Sequence, residues 1–134
     1  MSADRKQKLE EIARYVLTSS AQMNADGFDK VLACCTDDIF LEWPFGPPPP
    51  LRGKAAIREF LLANTMDFEV TTEDVFVDAE KGVTVTTASS KGRNPRTGQP
   101  YTNRYVLLYK FRGDLIAEWY EYLNPIAVME AAGG

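Results

Sequence analysis

From Phe68 onward the apolar residues of this chain recur at every second position, and that change of period limits what it can fold into. Segments 68–78, 83–90, 101–111 and 115–123 alternate apolar and polar side chains, as strands with one buried face do. Lys81-Gly82 and Arg112-Gly113-Asp114 supply short turns, so the four read as an antiparallel meander. The Arg-Gly-Asp tripeptide is read as a tight hairpin rather than an adhesion motif. The connector 91–100, with three basic residues, two prolines and two glycines, is expected to be a long mobile loop.

The first half has a different period. Residues 4–23 carry Leu9, Ile12, Ala13, Val16 and Leu17 at helical spacing, with charged residues mostly on other faces. Asp26-Gly27 breaks and recaps the chain, with Asp29 completing a loose capping box. A second helix then buries Phe28, Val31, Leu32 and Cys35. Ile39–Trp43 reads as a strand, and the proline-rich 44–50 cannot form ladder hydrogen bonds. A semi-rigid loop over a pocket mouth is expected there. Gly53 opens a third helix through Asn64, with Ile57, Phe60 and Leu61 on its core face, and a short strand pair near the first strand is allowed. Helices segregated from an antiparallel sheet define an α+β domain, and 1–134 reads as a single one. A sheet curled around the first helix makes a cone whose open end suits a small molecule.

Composition narrows the chemistry. The 134 residues include no histidine, which removes Ser-His-Asp and Cys-His catalysis and HExxH zinc sites. Proton transfer near neutral pH falls to a tuned carboxylate, Tyr, Lys, Cys or water. Fifteen Lys+Arg against nineteen Asp+Glu argue against nucleic acid as partner. No apolar run is long enough to span a membrane and residues 1–11 are polar, so neither membrane nor secretion is expected and a cytoplasmic location is. Adjacent Cys34 and Cys35 do not make a disulfide framework, and at least one reads as a small core residue. Asp37, Asp38 and Glu42 lack a cation-ligand spacing, so no metal and no cofactor is expected.

In the last strand one face carries Leu115, Ala117, Trp119, Glu121 and Leu123, and the other Ile116, Glu118, Tyr120 and Tyr122. The first is apolar except for Glu121, whose pKa should therefore rise, as a general acid/base requires. A partner arginine or a wet rim is the alternative for that glutamate. Trp43 and Trp119 would offer flat walls to a planar ligand, with a core role the alternative.

The chain resembles the nuclear-transport-factor-2-like superfamily, specifically its SnoaL-like and ketosteroid-isomerase-like members. The resemblance rests on Ala13-Arg14-Tyr15-Val16, Leu41-Glu42-Trp43-Pro44 with its proline loop, Gly53-Lys54-Ala55-Ala56-Ile57-Arg58-Glu59-Phe60, and Glu121-Tyr122-Leu123-Asn124-Pro125. It implies a cone-shaped curved antiparallel sheet wrapped around the N-terminal helices, the cystatin-like α+β barrel. It also implies isomerase, cyclase, dehydratase, epoxide hydrolase or binding activity. Of the ketosteroid isomerase pattern, Tyr15 matches the helix-one Tyr, while Trp43-Pro44 and Leu107 stand where two acids are required. The Glu-Tyr-x-Asn-Pro segment is more similar to the phenazine-biosynthesis A/B proteins, which implies an acid/base role for Glu121; their pocket histidine has no counterpart here.

If the Leu107 face of 101–111 is the pocket face, as the resemblance implies, Asn103, Tyr105, Leu107 and Tyr109 line it. Val106, Leu108, Tyr120 and Tyr122 then fall on an outer face that a homodimer would cover. The expectation is a cofactor-free isomerase, cyclase or lyase acting on a hydrophobic carbonyl compound. Glu121 and Tyr15 would be catalytic, with Trp43, Asn103, Tyr105, Leu107 and Trp119 binding substrate. The alternatives are a non-catalytic carrier or sensor with the same pocket and, more weakly, a dimerisation module with a filled cone.

Overall fold

The computed structural model describes residues 2–133, with α1 (Ser2–Ser20), α2 (Ala25–Ala33), β1 (Cys35–Glu42), β2 (Leu51–Arg52) and α3 (Lys54–Ala63) in its first half. The second half comprises β3 (Asp67–Asp78), β4 (Val83–Arg93), β5 (Pro100–Arg112), β6 (Leu115–Tyr122) and α4 (Pro125–Ala131). The strands form one sheet in the order β2-β1-β6-β5-β4-β3. Neighbours are antiparallel except β1, which runs parallel to β6, so the sheet is not the purely antiparallel one expected. It is a curved, unclosed sheet with the N-terminal helices against its concave side, an α+β fold.

The apolar stripe of α1 seats Leu9, Ala13, Val16 and Leu17 in the core against β3, β4 and α2. The helix ends at Ser20 rather than Met23, where a left-handed residue (φ 53°) redirects the chain. Asn24, not Asp26, caps α2: its side-chain oxygen accepts the Gly27 N–H at 2.8 Å. Asp26 pairs instead with Lys30 at 3.0 Å, and Asp29 with Arg58 of α3 at 2.8 Å. Cys34 closes α2 and Cys35 is already in β1, so the strand starts four residues earlier than the apolar pattern shows. The expected helical placement of Cys35 gives way to a buried strand position. Asp37 and Asp38 make separate surface pairs with Lys54 (3.4 Å) and Arg112 (3.3 Å).

Three other expectations change. Strand parity holds through Trp119 and Glu121 but fails at the start of β6: a bulge between the Lys110–Glu118 and Phe111–Ile116 pairs buries Ile116 and exposes Leu115. The β4–β5 ladder continues to Arg93–Pro100, leaving a loop of only 94–99. That loop is tied down. Buried Asn94 accepts from the backbone N–H groups of Arg96, Thr97 and Gly98, and the Thr97 hydroxyl donates to Ala131 O at 2.5 Å. Helix α4 is the third change. Asn124 caps it through the Ile126 N–H at 3.0 Å, with Pro125 in the first turn.

Gly92 sits where three strands converge, opposite Phe68 on β3 and Tyr101 on β5. A Cβ there would overlap the Asp67 carbonyl oxygen and the Phe68 backbone. Gly92→Ala is therefore expected to destabilise the fold by about 1–3 kcal/mol, as overpacking does, checked by urea denaturation. Unchanged stability would show that β3 shifts freely.

Candidate functional site

The sheet's concavity is only partly filled. Between α1, α3, α4 and strands β5 and β6 lies a cavity of about 500 Å³. Its walls include Trp43, Leu107 and Trp119, with Phe60 from α3 packed against Trp43 in a tilted pair at 5.0 Å between ring centres. Phe45 to Pro48 of the proline loop close one side of the mouth, and Val128 and Met129 of α4 another. Such a size and lining suit a small apolar molecule.

Glu121 is the one acid among the described residues lining this cavity. It points inward because it follows Trp119 by two residues on β6, and its register partner on β5 is Leu107. Burial pushes its pKa from the ordinary 4.5 up to about 7, and the indole N–H groups of Trp43 and Trp119 pull weakly the other way. Trp119 Nε1 finds no acceptor of hydrogen-bonding geometry among the described residues. Protonated and ionised forms of Glu121 are thus both populated near neutrality, as a group that takes and returns a proton needs.

A second polar feature is a chain of hydroxyls on β4 and β5. Ser90 Oγ lies 2.8 Å from the Tyr105 hydroxyl, and that hydroxyl 2.8 Å from the Tyr101 hydroxyl. Asn103 Nδ2 donates to the Tyr101 oxygen at 3.0 Å. Tyr101 and Tyr105 line the cavity, and burial pushes both phenols above their usual range. Deeper still, Tyr109 is fully buried edge-on to Trp119, and its hydroxyl has no partner among the described residues. The thiol of Cys35 is pushed up to about 12 by burial, which leaves no thiolate for nucleophilic chemistry at neutral pH.

The structure thus brings Trp43, Tyr105, Leu107, Trp119 and Glu121 to one cavity and leaves two expected residues out. Tyr15 is 48% exposed on α1, turned away from the buried stripe, and takes no part in the lining. Asn103 is inward but fully occupied: its amide nitrogen donates to Tyr101 and to Asn124 O, and its oxygen accepts from the N–H groups of Arg104 and Asn124. It pins the end of β6 to β5 and has nothing to offer a ligand. Tyr101, Arg96 and the α4 residues were missed as lining residues, although Tyr101 shares its strand parity with Tyr105.

Residues 16–119 match the SnoaL-like domain, so the chain belongs to that family. Glu121 and α4 fall just beyond the matched residues. The chain is 27% identical over 104 residues to the uncharacterised protein YesE of Bacillus subtilis (strain 168), a match covering 73% of this chain and 71% of YesE. A solved Bacillus subtilis structure, provisionally named an isomerase, superposes with a TM-score of 0.85 at 23% identity, over 97% of this chain and 96% of the other. Another, from Jannaschia sp. CCS1 and provisionally named a SnoaL-like polyketide cyclase, has a TM-score of 0.81 at 17% identity over 94% and 92%. Both likenesses establish the fold.

The raised pKa of Glu121 carries a stability consequence. Because its folded pKa exceeds the unfolded one, its favourable contribution is complete below about pH 4.5 and is lost as pH rises to about 7. Glu121→Gln cannot ionise, so at pH 8 it is expected to be more stable than the wild type, by at most about 3 kcal/mol, with the difference gone at pH 4. Urea denaturation at both pH values checks this; a variant less stable at pH 8 would mean the carboxylate has a compensating partner.

Proposed function

We propose that this protein is a cofactor-independent isomerase, cyclase or lyase, of ketosteroid-isomerase-like or SnoaL-like polyketide-cyclase type, acting on an apolar carbonyl-bearing small molecule. The observation that carries this reading is Glu121: a lone carboxylate in an apolar cavity, held near neutrality by desolvation. An ionised Glu121 takes a proton from the carbon next to the carbonyl, and the electron pair moves onto the carbonyl oxygen as an enolate. Returning the proton to a different carbon isomerises the substrate. Attack of the enolate carbon on an electrophile in the same molecule closes a ring, and loss of a β-leaving group makes it a lyase. The similarity of Glu121-Tyr122-Leu123-Asn124-Pro125 to the phenazine-biosynthesis A/B proteins supports the same role for the glutamate.

A specific observation favours a second reading, a non-catalytic binding protein with the same pocket. Leu107 stands beside Glu121 where the ketosteroid isomerase pattern has an acid, so no second carboxyl assists. Once a substrate is found by screening apolar ketones and esters, Glu121→Gln is expected to lower kcat by about 10²-fold or more, with the wild-type rate rising through an inflection near pH 7. Full turnover by the variant would sink the catalytic reading. Tight binding without any chemical change in the wild type would establish the second.

The same proposal includes a cytoplasmic homodimer. The convex face exposes Val106 at 39% together with half-buried Leu108, Tyr120 and Tyr122, an apolar stretch that a second copy would cover. Sedimentation at micromolar concentration is expected to show a dimer for the wild type and a monomer for Val106→Glu. A monomeric wild type would refute it.

A further inference from the structure

Counting hydrogens along the Ser90–Tyr105–Tyr101 chain assigns it a direction. Three hydroxyls carry three protons, but only two hydroxyl–hydroxyl contacts join them, so one proton is left over, at an end or on Tyr105 where both neighbours donate to it. At the Ser90 end that proton would be buried, because Ser90 is 6% exposed and its Oγ has no other partner among the described residues. At the Tyr101 end it faces the cavity. Leaving a buried donor unpaired is costly, so a ligand that accepts at Tyr101 draws the chain into the order Ser90 to Tyr105 to Tyr101.

Asn103 makes the assignment one-sided. Its orientation is set by backbone groups: the oxygen accepts from the Arg104 and Asn124 N–H groups, and the nitrogen donates to Asn124 O. The same nitrogen's other proton goes to the Tyr101 oxygen at 3.0 Å. In the ordered chain that oxygen accepts from both Asn103 and Tyr105, which fills its two lone pairs. Tyr101 then has nothing left to offer except its proton.

We infer that Tyr101 is the ligand-orienting donor of the cavity, favouring a molecule that presents an acceptor oxygen, such as a ketone, ester or enolate, over one of the same shape that presents none. Ser90 and Tyr105 are positioning residues: Ser90 donates to Tyr105, which accepts that bond and donates forward to Tyr101, and this strengthens the terminal bond. The inference deepens the reading of the cavity as a site for a carbonyl compound. It places the carbonyl oxygen at Tyr101 and leaves Glu121 for the proton on carbon.

The test uses two probes of matched shape, 2-acetylnaphthalene and 2-ethylnaphthalene, titrated by calorimetry at pH 9, where Glu121 is ionised and donates nothing. The wild type is expected to bind the ketone about 2- to 12-fold more tightly than the hydrocarbon, the worth of one hydrogen bond. The carbonyl stretch of the bound ketone should move to lower frequency. Tyr101→Phe should abolish both the preference and the shift, and Ser90→Ala should reduce the shift in part. Near-ultraviolet circular dichroism shows whether each variant keeps its packing. Ketone preference and carbonyl shift intact in folded Tyr101→Phe would overturn the inference, without touching the catalytic role of Glu121. Loss of preference in Glu121→Gln but not in Tyr101→Phe would also overturn it. Binding of neither probe to the wild type would overturn it together with the reading of the cavity as a small-molecule site.

Discussion

A bent sheet cannot fill its own concavity with a single helix, and the rest of this molecule follows from that constraint. Helix α1 packs against β3 and β4 and, with α2, completes the core around Leu41, Tyr109 and Ile116. The far end of the concavity, between β5, β6 and α3, is left to side chains that do not meet. Bulky Trp43, Phe60 and Trp119 wall this space without filling it. The proline loop and α4 narrow its mouth, and Asn103, Asn124 and Thr97 fix α4 in place through hydrogen bonds to backbone. The same backbone bonds that shape the cavity also keep its rim from collapsing inward.

Electrostatics inside this space differs from that on the surface because of where the cations are. The ion pairs among the described residues, from Arg5–Asp114 to Arg112–Asp38, are all solvent-exposed, and none involves Glu121. Exposed pairs contribute little to stability, whereas an unpaired carboxylate in the interior faces the full desolvation penalty. Glu121 meets that penalty by remaining protonated up to about neutrality. An arginine in place of Leu107 would stabilise the carboxylate and lower its pKa, removing the acid form that a proton shuttle needs. By withholding a partner, the pocket keeps Glu121 able to hold a proton up to about neutrality, at a cost in stability above pH 7.

Much of the fold was legible because periodicity reports burial directly. The alternation in β3 to β6 and the stripe Leu9-Ala13-Val16-Leu17 gave the strands, the helix and their order. What failed is what periodicity does not encode. Asp37 and Asp38 lie in β1, yet their acid side chains hid the strand until Ile39. The bulge at Ile116 inverted the expected faces of Leu115 and Ile116. Loop 94–99 has the composition of a mobile segment but is ordered by Asn94, whose side chain is buried for its hydrogen bonds rather than its hydrophobicity. Helix α4 did leave a signal, an Asn-Pro start followed by Ile126, Val128 and Met129, in a stretch too short for periodicity to register.

The site shows the same division. Parity placed Glu121, Leu107 and Tyr105 correctly on one face, and it placed Asn103 and Tyr101 there too. The face alone does not separate a side chain that serves the ligand from one that serves the fold. That separation needs a count of donors and acceptors, which only the neighbouring strands supply. Asn103 looks like the better ligand group by residue type, but four hydrogen bonds to the protein occupy it completely. Tyr101 looks like an ordinary buried aromatic, yet it stands at the open end of a chain with one proton too many. For Tyr15 the sequence itself held the answer: at about 100° per residue it falls well off the stripe formed by Leu9, Ala13, Val16 and Leu17, and no helix can turn both toward the core. A hydroxyl acts on a ligand only from a wall of the cavity that holds it, and Tyr15 stands on none.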